Sequence, residues 1–293
     1  MKRTKVKRSS SFLELMAQPT VKGSQLILYF STCVSHVLRS SRGRDKILGV
    51  VQHLSDLYKN CMIDYLAENR IREWPIILRN AKIINESMKN GRKIFRLLRW
   101  IEELGSIGKN TKGPYDAIII LKLVRHIAGA IYYILDNLVW VAQIGVISKV
   151  ITNANWKWES TKDAASFVRY ILLLIINLFS VRKRRAKETE LIEELESDPG
   201  RIINYDNHGY KKMLSLVKIR TKRRYQALDI MKNFLRIFML MKSLKLPFTQ
   251  NVSGVFYSIC GITSSALAIF KLLTLKTQIR IEGKQTIKRT DFQ

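Results

Sequence analysis

The stretch Thr249 to Phe270 constrains the chain most: it carries no charged residue and is long enough to cross a bilayer, which takes about 20 mostly apolar residues in a helix. Pro247 stops the helix before it. A second stretch, Ile127 to Ser148, has the same length class, with Asp136 as its only charge. A third, Ala164 to Val181, is marginal in length and carries Arg169, which suits a short span, a re-entrant segment or a helix shielded by neighbours. Elsewhere apolar residues recur at three- and four-residue spacings while alternating strand patterns are scarce. The expected fold is therefore all-α: an integral membrane protein with cytosolic amphipathic helices and two to three hydrophobic membrane helices.

Charge decides the partner. The chain has 51 Lys plus Arg against 23 Asp plus Glu, a net charge of +28, and an excess of that size calls for a polyanion. Nucleic acid and anionic membrane lipid are the two candidates. A hydrophobic content of 47% gathered in blocks is unlike a nucleic-acid-binding tail, and Thr249 to Phe270 would have no role in one, so lipid is expected and nucleic acid is not. Cys33, Cys61 and Cys260 are widely spaced with no C-x-x-C pair, which points to buried thiols in a reducing compartment rather than disulfides or zinc.

Composition divides the chain into seven parts. Residues 1–42 form a basic arm in which Lys2, Arg3, Lys5, Lys7 and Arg8 precede Ser9 to Ser11; a mitochondrial presequence shares this composition, but a flexible arm is the preferred reading. Residues 43–104 are amphipathic and helical. Within them, Asp45 to Leu66 places Ile47, Val50, Leu54 and Tyr58 on one side and Lys46, Gly49, Gln52 and His53 on the other, which predicts packing against a neighbouring or partner helix. A further helix is expected from Trp74 and Pro75 to Leu104, with a break at Gly91, and Gly105 to Pro114 reads as a loop. Residues 115–181 hold the hydrophobic helices, 182–209 a charged linker, 210–246 a basic amphipathic helix, 249–270 the best span and 271–293 a basic tail.

No catalytic motif is present: there is no P-loop, dinucleotide fingerprint, G-x-S-x-G or H-E-x-x-H, and His36, His53, His126 and His208 are scattered. Neither an enzyme, a cofactor nor a metal site is expected. The informative stretch is GRKIFRLLRWIEEL from Gly91. Lys89, Arg92, Arg96 and Arg99 share one arc of the helix, and Ile94, Leu97, Leu98, Ile101 and Leu104 fill the other. Such a helix can lie in the headgroup plane with its cations on anionic lipid, expanding one leaflet and favouring curvature.

Two polar stripes lie in the apolar segments. Arg125, Gly129, Tyr132, Asp136 and Gln143 align on one side of the first; a seam between packed helices is preferred over a pore lining, with Lys162 or Arg169 as the counter-charge of Asp136. In the last, Gly254, Ser258, Gly261 and Ser265 form a stripe of small side chains suited to close helix packing, which predicts self-association. Charge bias sends the N-terminal half, Arg182 to Arg185 and the tail from Lys271 all to the cytosolic side, and a single last span violates that parity.

Four passages in order, GRDKIL from Gly43, GRKIFRLLRWIEEL from Gly91, YILDNLVWVAQIG from Tyr133 and GVFYSICGITSSALAIF from Gly254, resemble the peroxisomal membrane protein 11 (peroxin-11) family over about Gln25 to Leu275. Two departures are the long arm before Gly43 and Arg236, where the family typically carries an aspartate. The resemblance implies an integral protein of the peroxisomal membrane that remodels and elongates it during proliferation and fission. It also implies a cytosol-facing amphipathic helix, a homo-oligomer, contact with dynamin-type fission machinery, and, as the alternative activity, a pore for small metabolites.

Overall fold

The computed structural model describes residues 31, 32, 35, 37–69, 76–110, 116–146, 158–197, 207–249 and 251–290, and no strand occurs among them. The basic arm through residue 30, the Trp74–Pro75 helix start and residues 111–115 of the expected loop lie outside the described residues.

Helix α1 (Ser41–Glu68) opens on Ser40, whose Oγ accepts a hydrogen bond from the Gly43 amide at 3.0 Å. Gly43 lies so close to the preceding turn that a Cβ there would meet the Val37 carbonyl oxygen at 2.0 Å, so only glycine fits. Helices α2 (Ile76–Ile94) and α3 (Arg99–Asn110) are one rod broken at residues 95–98. There the bonds tighten to the i to i−3 pattern and Leu98 adopts the left-handed conformation, φ 60°. The break lies past Gly91, which stays helical, and it turns Arg96 and Glu103 to the same inner side. Gly105 and Gly108, expected in a loop, continue α3.

Helices α4 (Ala117–Gln143), α5 (Trp158–Glu196), α6 (Asn207–Ser243) and α7 (Gly254–Thr290) follow, with a short 3-10 turn at Pro247–Thr249. The stretch expected as a linker from residue 182 is helical as far as Glu196. Its acidic run has a docking role that hydrophobic periodicity does not reveal: Glu188 is buried and takes Arg220 of α6 at 2.8 Å, along with Arg223. The last helix begins at Gly254 rather than Thr249, because residues 247–249 form the turn and Tyr257 hydroxyl bonds back to the Thr249 carbonyl at 3.2 Å. Its backbone continues through the expected tail to Thr290.

Neighbour contacts run α2 to α1, α1 to α7, α7 to α6, α6 to α5, α5 to α4, and α4 back to α2 and α3, so the helices close into a ring. Polarity is inverted relative to a water-soluble bundle. On α1 the buried positions are Gly43, Asp45, Gly49 and His53, while Leu54, Tyr58, Ile63 and Tyr65 are exposed. The expected amphipathic division of this helix is present, but its polar side faces inward. Ionisable groups turned inward and apolar groups turned outward suit a hydrocarbon environment. Among the described residues three helical segments are long and apolar enough to cross a membrane: Ala117–Gln143, a window within Trp158–Glu196, and Gly254–Thr274.

Candidate functional site: a charged core inside an apolar ring

Asp45 is the hub of the interior. It has no exposed surface, and its Oδ1 accepts from Arg96 Nε at 2.8 Å and from Arg92 Nε at 3.2 Å, while Lys46 Nζ lies 3.0 Å from Oδ2. Burial opposes its ionisation, but Lys46, Arg96 and Arg92 overcome that and hold the carboxyl well below its usual range. Arg92 also donates to Gln52 at 2.6 Å. Arg96 links α1 to α4 by donating to the Tyr132 hydroxyl at 2.8 Å and approaching Asp136 at 3.5 Å.

The outward-facing arrangement expected for the cations of GRKIFRLLR is therefore corrected for Arg92, which is 5% exposed, and for Arg96, which is largely buried. The same periodicity describes a helix with either face in lipid, and the buried partner Asp45 decides which face turns inward. Lys89 is exposed, and Arg99 is half-buried. The apolar arc keeps its expected composition and faces out: Ile94 and Leu98 are 54% exposed, and Leu97, Ile101 and Leu104 are also exposed.

The polar stripe of α4 is consumed by pairing. Asp136 is buried between Arg96 and Lys162, the latter at 3.8 Å. Arg169 goes instead to Glu103 at 2.8 Å, where His126 at 2.5 Å and Arg125 at 3.9 Å also converge. Gln143 accepts from Lys93. Gly129 leaves room for Glu103: a Cβ there would lie 3.0 Å from its carboxyl carbon.

The small-residue stripe of α7 is occupied within the chain, by α1. A Cβ on Gly261 would meet the His53 ring at 2.5 Å, one on Gly254 would meet Asn60 at 2.9 Å, and Ser258 Oγ accepts from Asn60 Nδ2 at 3.0 Å. Ser265 is fully buried and, with Ser264, accepts from Arg236 at 3.3 and 2.9 Å. The expected use of this face between copies is thus replaced by packing inside one copy, since four small positions make room for a neighbouring helix without identifying it.

A cavity of about 330 Å³ remains at the centre, bordered by α1, α2, α4, α5, α6 and Arg99 at the start of α3. Among the described residues no cluster of His, Cys, Asp and Glu is arranged to hold a metal ion. Asp45 and Glu103 are the buried ion-pair hubs that sequence reasoning did not single out; the available signal was Asp45 lying on the polar face of α1 with Gly49 and Gln52.

The four passages quoted above for their resemblance meet in this core: Asp45 from the first, Arg92 and Arg96 from the second, Asp136 from the third, and Gly261 and Ser265 from the fourth. The family model described as Peroxisomal biogenesis factor 11 (PEX11) matches residues 32–273. Mouse Peroxisomal membrane protein 11A is 24% identical over 250 residues, covering 83% of this chain and 94% of the mouse protein. Rice Peroxisomal membrane protein 11-1 is 22% identical over 251 residues, 80% of this chain and 88% of that protein, and Arabidopsis Peroxisomal membrane protein 11A is 21% identical over 192 residues, 65% and 71%. No solved structure matches the chain. A match spanning most of the chain, with apolar helices of crossing length around a charged core, establishes that it belongs to the peroxisomal biogenesis factor 11 family and is a protein of the peroxisomal membrane.

Proposed function

We propose that this protein remodels and elongates the peroxisomal membrane during proliferation and fission, by wedging the apolar outer arc of the broken α2–α3 rod into one leaflet. The observation that carries this reading is the exposure of Ile94, Leu97, Leu98, Ile101 and Leu104 on a rod whose opposite side is anchored to the bundle through Arg92 and Arg96. A rod anchored on one side and apolar on the other inserts as a fixed wedge, which expands the leaflet it enters. Anionic lipids, a second copy of the chain and a dynamin-type fission machine are the partners this role calls for; the exposed Lys89 and the net charge of +28 support the first.

The test is the full chain reconstituted into vesicles containing anionic lipid. It should draw them into tubules, and L97S, I101S and L104S combined should abolish tubulation while leaving helical content intact. Tubulation by this triple variant equal to that of the parent chain refutes the wedge. The central polar cavity favours a second reading, a pore for small metabolites, and single-channel recording from the same preparation tests it.

A further inference from the structure

The central cavity is lined by nine Lys or Arg side chains and only four carboxylates. Glu103, just outside it, neutralises Arg169, and the cations still outnumber all five carboxylates. Uncompensated cations inside a ring whose outer surface is apolar are costly, because lipid tails cannot solvate them and water reaches them only through the cavity. Their surroundings register that cost: burial together with neighbouring cations pulls Lys46 down to about 8, and burial does the same to Lys93 despite the attraction of Asp136. Three lining nitrogens also keep unspent hydrogen-bonding capacity: Arg99 Nη2, Arg169 Nε and Nε2 of His53, a residue 5% exposed, are buried without a hydrogen-bond partner among the described residues. Arg99 stands directly after left-handed Leu98, so the break in the α2–α3 rod is what delivers it to the cavity.

We propose that this cavity is a binding site for a phosphate-bearing anion, which supplies the negative charge the interior lacks. Phosphate fits better than a lone carboxylate on two counts. A phosphomonoester carries about −1.5 to −2 near neutral pH, closer to the excess. Arginine forks match its oxygens in the bidentate geometry that guanidinium favours. The cavity lies where α4 ends, α5 begins and α6 ends, since Asp136, Lys162 and Ser243 all border it. For helices that cross, that end of the cavity is at the membrane surface while Tyr132, Tyr170 and Arg236 line its inner part, so a lipid headgroup and a soluble phosphate share access to it. The proposal does not depend on the wedge reading, and its readout is ligand binding rather than membrane shape.

The experiment uses the full chain in neutral detergent, with inorganic pyrophosphate in one arm and phosphatidic acid in mixed micelles in the other, read by thermal stabilisation and by native mass spectrometry. Stabilisation by either probe supports the site. A response to phosphatidic acid alone identifies a lipid headgroup, whereas a response to both identifies a site open to soluble phosphates. R99Q, which breaks no ion pair among the described residues, and K89Q at the exposed rim should each weaken the response, and the double variant by tenfold or more. K218Q with K222Q, the same charge loss on the exposed surface of α6, should leave it unchanged. No stabilisation by either probe, or an equal loss in the surface control, overturns the proposal. Unaltered helical content in R99Q and K89Q separates lost binding from lost folding.

Discussion

Asp45 holds three cations without any exposed surface, so neutralising it strands them in the interior. Breaking a buried pair of this kind by removing one partner costs about 3 to 5 kcal/mol. D45N should therefore unfold well below the parent in a detergent melt, whereas loss of the exposed Arg42–Glu102 pair through E102Q should shift the midpoint little, because such pairs are worth about 0 to 1 kcal/mol. His53 gives a pH dependence with a definite sign. Burial, then Arg236, Arg92, Lys46 and Arg96, depress it to about 3 from an ordinary value near 6.5. Between those values the unfolded chain binds the extra proton and the folded chain does not. This contribution to stability is complete above about pH 6.5 and declines as pH falls toward 3. Melts from pH 7 to pH 4 should fall less steeply for H53Q, whose side chain does not titrate in that window.

At the scale of elements, most helices were legible in the sequence, but their extensions through 105–110, 182–196 and 271–290 were not, and neither was which side of each faces inward. The periodicity that divides α1 into Leu54 and Tyr58 against Gly49 and His53 is the same whether water or lipid lies outside. Only three-dimensional pairing, Asp45 with Arg92 and Arg96, selects the orientation. The break at residues 95–98 escaped because Leu98 is a poor signal for a left-handed residue, where glycine or asparagine is the usual marker. The polar seam of α4 was legible, down to Lys162 as a partner of Asp136, because a charge in an apolar segment must find an opposite one. The stripe of α7 was legible as a packing surface while its occupant was not. In a chain whose native cysteines are replaced by serine, N60C with S258C should form a disulfide within one molecule on oxidation. Adding G261I should suppress it, because the larger side chain collides with the His53 ring. A ladder of crosslinked dimers from N60C and S258C would contradict the intramolecular pairing.

For the whole molecule, the unresolved parity of crossings turns on α6. Its charges kept it from reading as a membrane helix, but those of its C-terminal half, from Asp229 on, each have a partner. Asp229 takes Lys232 and Lys271, Arg236 takes Ser264 and Ser265, and Lys242 stands 4.3 Å over the Tyr257 ring. Contacts of Ser243 with Asp163 and of Arg220 with Glu188 run α6 antiparallel along the apolar part of α5. If α5 and α7 cross, α6 lies in the same layer and crosses with them, so that Arg182 to Arg185 and the C-terminal end fall on the same side, as the charge bias requires. Protease protection on intact organelles should find epitope tags at both ends of the chain accessible. Protection of the C-terminal tag alone would restore a three-crossing topology.

The pairing of α1 with α7 bears on how such a molecule is made. Asn60 and Ser258 are 198 positions apart, so while Asp45 and Gln52 meet Arg92 early, the part of α1 that faces α7 has no companion while most of the chain is still being synthesised. A helix still exposing His53 and Asn60 gains little from entering hydrocarbon before α7 covers them. Membrane entry of the N-terminal half must therefore wait for translation of the last apolar helix, which favours delivery of the finished polypeptide over stepwise threading during synthesis. A chain truncated at Ser253 should turn over faster than the complete protein in a pulse-chase.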